Sequence, residues 1–84
     1  MKPIRLSGHA CDNMVCRGAT EREVVEAITT SAWEPAREGR SECRKDFAFG
    51  AIWNGKFCET KQVRPIFIDE ADETVVITVY VYYF

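Results

Sequence analysis

The chain has 84 residues, of which 46% are hydrophobic and 29% are charged, and its formal net charge at pH 7 is -2. A chain of this length forms one domain that buries only about 60–65% of its unfolded surface. It is too apolar to be intrinsically disordered, and its slightly acidic balance argues against tight nucleic-acid binding through net charge alone. We therefore expect a single globular domain over residues 1–84.

The N-terminal residues and the cysteines bear on the compartment. Residues 1–10 include Lys2, Arg5 and His9 and lack the apolar stretch of a secretion signal. We expect a cytoplasmic protein without membrane association, whose four cysteines are reduced thiols. Two cysteines are five residues apart and the other two are fifteen apart, and neither spacing matches a zinc motif. We therefore expect no metal site and no cofactor.

Two short helices are predicted near the N-terminus. Ser7 is a typical N-cap for a helix over residues 8–16, and Gly18 is a typical C-cap. Thr20, followed three residues later by a glutamate, has the spacing of a capping box and begins a second helix over residues 21–29. Each helix has one apolar side, so the pair is expected to pack as an αα-hairpin on one surface.

The rest of the chain is predicted to form strands. Residues 42–49 alternate in polarity, and the Asn-Gly pair at residues 54–55 predicts a type I′ hairpin turn. Residues 61–68 form another strand, in which Pro65 indicates an edge position or a bulge. The last strand, residues 74–84, has no Gly, Pro or charged residue and consists almost entirely of β-branched and aromatic residues. A strand that is apolar on both sides is usually central in its sheet.

The two faces of the last strand differ. Period-two alternation places an aliphatic set on one face, namely Val75, Ile77, Val79, Val81 and Tyr83. The other face carries rings and hydroxyl groups from Val76, Thr78, Tyr80, Tyr82 and Phe84. We expect Ile77, Val79 and Val81 of the aliphatic face to share one core with the helix residues Ala10, Met14, Val24 and Ile28. The sequence therefore predicts an α+β fold with two N-terminal helices packed on one face of a three- to four-stranded antiparallel sheet.

Basic residues are concentrated in the middle of the chain. Residues 37–64 contain seven basic and four acidic side chains, whereas the residues after Arg64 contain four acidic side chains and no basic one. This distribution predicts a polarised surface, and the alternative is an ordinary solvated face.

Several stretches resemble a known family. The run His9, Arg17-Gly18, Thr20-x-x-Glu23-Val24 is similar to the start of a widespread bacterial domain family, the DUF4258 domain. The stretch WNGKFCETKQVRPIF and the ending VVITVYVYYF look like its C-terminal half. That family is often grouped with small toxins of toxin–antitoxin pairs, near the RelE-like and barnase-like ribonuclease folds. The resemblance implies a metal-independent endoribonuclease that acts on RNA or at the ribosome, with a small antitoxin-like partner protein.

Metal-free RNA cleavage needs a base near the 2′-hydroxyl, cations for the phosphorane charge and an acid for the leaving oxygen. The candidate catalytic residues are His9, Lys61 and Tyr80, and the candidate RNA-binding residues are Arg17, Arg44, Lys45, Arg64 and Tyr82. We expect Arg44, Lys61 and Tyr80 to gather on the sheet face opposite the helices, with His9 or Arg17 reaching its rim. Each residue also has a structural explanation: helix capping for His9 and Arg17, solvated or cross-strand charge for the strand cations, and packing for the tyrosines.

A non-catalytic function is the alternative. The aromatic face of the last strand would then bind a partner chain, or a second copy of this chain in a homodimer. A single patch of basic and aromatic side chains favours the ribonuclease. Coverage of Tyr80, Tyr82 and Phe84 by another chain favours the binding module.

Overall fold

The computed structural model describes residues 2–84 as two helices and a six-stranded mixed sheet. The elements in chain order are β1 (Ile4–Leu6), α1 (Gly8–Arg17), α2 (Glu21–Thr30), β2 (Glu34–Pro35), a 3₁₀ turn (Arg37–Gly39), β3 (Ser41–Glu42), β4 (Lys45–Trp53), β5 (Lys56–Asp69) and β6 (Thr74–Tyr83). The α+β class is confirmed, and both helices are N-terminal and pack against the sheet.

The local signals for helix ends and for the hairpin are confirmed. The Ser7 side chain accepts a hydrogen bond from a backbone N–H of α1, and Thr20 and Glu23 form a reciprocal capping box. Gly18 ends α1 in the left-handed conformation, with φ 79° and ψ 23°. Both central residues of the β4–β5 turn have positive φ, as a type I′ turn requires. Within residues 2–84, neither helix is long and apolar enough to cross a membrane.

The sheet is larger than predicted and is not purely antiparallel. Its order is β1-β6-β5-β3-β2, and β4 pairs with the same edge of β5 as β3 does. Strand β1 pairs in parallel with β6, whereas the other pairs are antiparallel. Strand β1 is not visible as a strand in the sequence, because three residues carry no period of their own and the partner strand is at the other end of the chain.

Pro65 lies in the central strand β5, so the predicted edge position is wrong. Strand β3 pairs with β5 up to Ile66, and β4 begins to pair only at Val63. The neighbouring strand is therefore interrupted opposite Pro65. A proline has no backbone N–H group to donate, and at this position no paired strand residue needs that donor. A register shift does follow nearby, between Ile66 and Phe67, but its additional residue is in β6 and not at Pro65.

This bulge changes which β6 side chains face the helices. Val76 and Thr78 pair with consecutive residues of β5, so Ile77 between them is an additional residue. Val76 and Val79 are fully buried, whereas Ile77 is only partly buried and does not belong to the core. The predicted core position of Ile77 is wrong, and Val76 occupies it instead.

The core lies between the helices and one side of the sheet. We call this side the inner face; it is formed chiefly by Val63, Phe67, Val76 and Val79. The predicted helix residues Ala10, Met14, Val24 and Ile28 are all buried against it, and Val81 packs at its margin. The opposite side is the open face, formed by the paired residues Gln62–Tyr82, Arg64–Tyr80 and Ile66–Thr78.

Candidate functional site

Arg64 and Tyr80 are directly paired on the open face, with the guanidinium carbon 5.6 Å from the ring centre. Arg64 also donates a hydrogen bond to the Tyr82 hydroxyl at 3.2 Å and forms an ion pair with Glu42 of β3, with Nε 2.6 Å from Oε2. Burial alone would lower the pKa of Arg64, but the bonds to Tyr82 and Glu42 outweigh it and raise the pKa. The arginine is therefore charged and held in one orientation.

Helix α1 covers the free edge of β6 beyond its short pairing with β1. The Ser7 hydroxyl donates to the Ile77 carbonyl at 3.1 Å, and the Val79 N–H donates to the Asn13 side-chain oxygen at 3.2 Å. Arg17 donates through Nη1 to the Val79 carbonyl at 2.7 Å. These side chains satisfy edge groups that would otherwise be open to another strand. They also bring the guanidinium of Arg17 around the edge of the sheet.

Tyr80 therefore has an arginine on each side of its strand. Arg17 approaches from the free edge of β6, with its guanidinium carbon 5.3 Å from the ring centre, and Arg64 approaches from β5. Each such cation–π contact contributes about 0.5–1 kcal/mol at an exposed site. Tyr80 is 39% exposed, and its ring contacts a guanidinium group from each side of the strand.

A groove of about 620 Å³ adjoins the arginine–tyrosine cluster of Arg17, Arg64, Tyr80 and Tyr82. Its lining residues include Ile66 and Thr78 from the sheet and Arg37 and Arg40 from the 3₁₀ turn. The turn reverses the chain through two consecutive positive φ angles, 58° at residue 38 and 73° at residue 39. Among the residues that line the groove there are three arginines and one carboxylate, that of Glu42. Two of these arginines are already paired, Arg64 with Glu42 and Arg40 with Glu38 at 3.6 Å, so the groove carries a small positive excess that an anionic ligand would complement.

Lys61 does not lie on the open face. Its side chain points to the inner face, and the residue is buried. The ammonium forms an ion pair with Glu23 at 2.9 Å and donates to the Gly18 carbonyl at 2.9 Å. A cation at the C-terminal end of α1 is also stabilised by the helix dipole. The expectation that Lys61 joins Arg44 and Tyr80 is wrong.

Strand period could have shown this separation in advance. Lys61 and Arg64 are three residues apart in one strand, and an odd spacing directs two side chains to opposite faces. Lys45 is likewise on the helix side, 3.9 Å from the Glu26 carboxylate. Arg44 lies in the loop between β3 and β4 and is exposed.

His9 is exposed on α1, two turns before Arg17, which corresponds to about 12 Å along the helix axis. Of the eight candidate residues, the structure brings together Arg17, Arg64, Tyr80 and Tyr82. Lys45 and Lys61 face the helices instead, and within residues 2–84 no hydrogen bond or ion pair joins His9 or Arg44 to that cluster.

Three charged groove residues were not among the candidates: Arg37, Arg40 and Glu42. All three belong to the basic middle segment, and the first two flank the turn glycine at residue 39. The charge excess of that segment was therefore the available signal. This signal does not predict the pairing of β3 with β5, which places Glu42 beside Arg64.

Comparison with protein-family models, with curated proteins and with solved structures finds no match for this chain. The geometry of the arginine–tyrosine cluster and its groove therefore carries the functional interpretation.

Proposed function

We propose that this protein binds single-stranded RNA in the groove of its open face, as an RNA-cleaving toxin of the cytoplasm. The observation that supports this most directly is the placement of Arg17 and Arg64 on either side of Tyr80. Arg64 and Tyr80 line the groove together with Arg37 and Arg40, and Arg17 lies beside it. Guanidinium groups bind phosphate through paired hydrogen bonds, and arginines held by other contacts lose little entropy on binding.

The net charge of the chain is compatible with this proposal. A charge of -2 does not attract RNA over long distances. However, binding depends on the local charge of the groove, where arginines outnumber carboxylates. The affinity should be moderate and should fall as salt is added, because each phosphate contact releases counterions.

Cleavage would use groups in and beside the groove. Arg17 and Arg64 would stabilise the phosphorane, and the Tyr80 hydroxyl would protonate the leaving 5′-oxygen. Glu42 is the carboxylate within the groove, and it is paired with Arg64. A phosphate bound by Arg64 would release Glu42, which would accept the 2′-hydroxyl proton as that oxygen attacks phosphorus. His9 has no part in this scheme.

The test is a binding titration with a short labelled single-stranded RNA at two salt concentrations. Arg17→Ala and Arg64→Ala should each weaken binding by about five- to tenfold or more and reduce the salt dependence by about one phosphate contact. The matched controls are Arg44→Ala and Arg22→Ala, which remove exposed arginines outside the groove. Equal losses for all four variants would show that only overall charge matters and would contradict the proposal.

Cleavage is tested separately by incubating the protein with RNA and with ribosome-bound message. Wild-type protein should cut RNA, while Glu42→Gln and Tyr80→Phe should bind but not cut. If the wild-type protein binds RNA without cutting it, the protein is an RNA-binding module and the nuclease proposal is contradicted. A toxin should also arrest growth when expressed, and a small partner protein encoded nearby should relieve the arrest.

A protein-binding module or homodimer is the second candidate. It is favoured by the exposed rings of Tyr82 and Phe84 near the end of β6, which are 43% and 57% exposed. Sedimentation at increasing protein concentration distinguishes the two. A dimer that Tyr82→Ser and Phe84→Ser dissociate, combined with failure to bind RNA, would establish this alternative.

A further inference from the structure

We infer that Tyr83, on the inner face, is a positioning residue that fixes Arg17 for ligand binding on the open face. The consequence for RNA binding rests on the proposed function. The structural link between Tyr83 and Arg17 does not depend on it. The Tyr83 hydroxyl donates to the backbone carbonyl of Arg17 at 2.6 Å. The backbone that carries the open-face guanidinium is therefore held by a residue from the opposite side of the sheet.

The last carbonyl groups of a helix have no partners within the helix and need donors from elsewhere. At the end of α1, the Arg17 carbonyl receives the Tyr83 hydroxyl and the Gly18 carbonyl receives the Lys61 ammonium. Both donors come from the sheet, and Lys61 is fixed in turn by Glu23 of α2. The end of α1 is consequently attached to β5, β6 and α2 at once.

The Tyr83 ring has little freedom to move. Trp53 stacks on it with the ring centres 4.3 Å apart, and Phe49 contacts it edge-on at 5.0 Å. Gly18 lies so close that a Cβ atom at this position would be 2.7 Å from the Tyr83 hydroxyl oxygen. Burial, followed by the nearby Glu23 and Cys58, raises the pKa of Tyr83. The hydroxyl therefore retains its proton and remains a donor at neutral pH.

The connection to the open face runs through the Arg17 side chain. Its guanidinium donates to the Val79 carbonyl and lies over Tyr80. Both contacts require the end of α1 to keep its present position along β6. Loss of the Tyr83 hydrogen bond would let the final turn of α1 fray, as helix ends do when their carbonyls lack donors. Arg17 would then sample other positions while Arg64 stayed in place.

The experiment uses Tyr83→Phe, which removes the hydroxyl and keeps the ring. The first readout needs no ligand: ¹⁵N relaxation of the Arg17 Nε–H group should show greater motion in Tyr83→Phe than in wild type, while the Arg64 Nε–H group is unchanged. Phe49→Leu is the control, because it loosens the same ring cluster without removing the hydrogen bond. An Arg17 side chain as rigid in Tyr83→Phe as in wild type would overturn the inference.

The second readout is a double-mutant cycle on RNA affinity. Tyr83→Phe should weaken binding about three- to tenfold, which is the scale of one lost hydrogen bond, and should have no further effect when Arg17 is already alanine. Equal losses in both backgrounds would mean that Tyr83 does not act through Arg17. If wild-type protein binds no RNA, the proposed function fails, and the relaxation measurement still decides whether Tyr83 positions Arg17.

Discussion

Lys61 and Glu23 form an ion pair beneath the turn that joins the two helices, with the ammonium nitrogen 2.9 Å from a carboxylate oxygen. The Lys61 side chain is 10% exposed and that of Glu23 18%. Glu23 also completes the capping box of α2, and Lys61 also donates to the carbonyl of Gly18, the first residue of the turn. A lysine that the sequence analysis assigned to catalysis therefore holds the helix pair on the sheet.

The first prediction concerns this ion pair. Lys61→Ala should lower the free energy of unfolding by about 3 kcal/mol, because it leaves Glu23 in a largely buried site without its cation. The double variant Lys61→Met, Glu23→Gln should recover most of the loss, since it removes both charges and keeps a capping acceptor. Urea unfolding measures all three proteins. Lys61→Ala with wild-type stability would show that the pair contributes nothing.

The second prediction compares two glycines of the first helix. Gly18→Ala should destabilise the protein by about 1–2 kcal/mol for the left-handed backbone alone, and by more because the new methyl group would clash with Tyr83. Gly8→Ala is the matched control: no atom lies within 4 Å of its added methyl, and alanine favours the helix. Thermal melts should therefore shift in opposite directions. An unchanged melting temperature in Gly18→Ala would contradict the close contact between the end of the helix and Tyr83.

Much of the local structure follows from residues a few positions apart. Ser7, the capping box at Thr20 and the turn at residues 54–55 each satisfy backbone geometry through neighbours in sequence, so their patterns are visible in the chain. The sequence could also indicate the faces on which Arg64 and Tyr80 lie, because period-two alternation assigns each side chain of a strand to a face.

The remaining features depend on contacts between distant residues. The bulge at Ile77 exists because β6 must match the register of β5, and no signal within TVVITVYVYYF marks it. Arg17 reaches the open face only because α1 runs along the free edge of β6. Neither the parallel pairing of β1 nor the position of that helix is encoded by local propensity.

The third prediction tests the shifted register of β6. Val76→Ala should lower the free energy of unfolding by about 2 kcal/mol, because Val76 is fully buried in the core. Ile77→Ala removes more atoms but should cost less, since Ile77 lies outside the core cluster. Chemical denaturation of the two variants gives the order directly. A larger loss of stability for Ile77→Ala would indicate that Ile77 faces the core, as the uninterrupted alternation in the sequence predicts.

The fourth prediction concerns the buried thiol of Cys43. Burial, with a smaller contribution from Glu42, raises its pKa from 9.0 to about 11. Between these two values the unfolded chain loses this proton while the folded protein keeps it, so the free energy of unfolding should fall as pH rises from about 9 to about 11. Tyr83, whose pKa is also raised, should add to the fall at the upper end.

Thiol labelling at pH 8 checks the same assignment. Cys11 and Cys16 are exposed and should react quickly, whereas Cys43 and Cys58 are buried and should react only after unfolding. Cys43→Ala should reduce the alkaline loss of stability, and Cys11→Ser should leave it unchanged. An unchanged alkaline profile in Cys43→Ala would show that this thiol does not contribute.

The most direct test of the central claim is a titration of ¹⁵N-labelled protein with a short single-stranded RNA, followed by two-dimensional NMR. We predict that the resonances of Arg37, Arg64, Tyr80 and Tyr82 shift in proportion to bound RNA, together with those of the Arg17 side chain. Resonances on the outer surface of the helices, such as Val15 and Arg22, should stay in place. Shifts confined to the β4–β5 hairpin or to the outer surface of the helices, or no shifts at all, would contradict RNA binding on the open face.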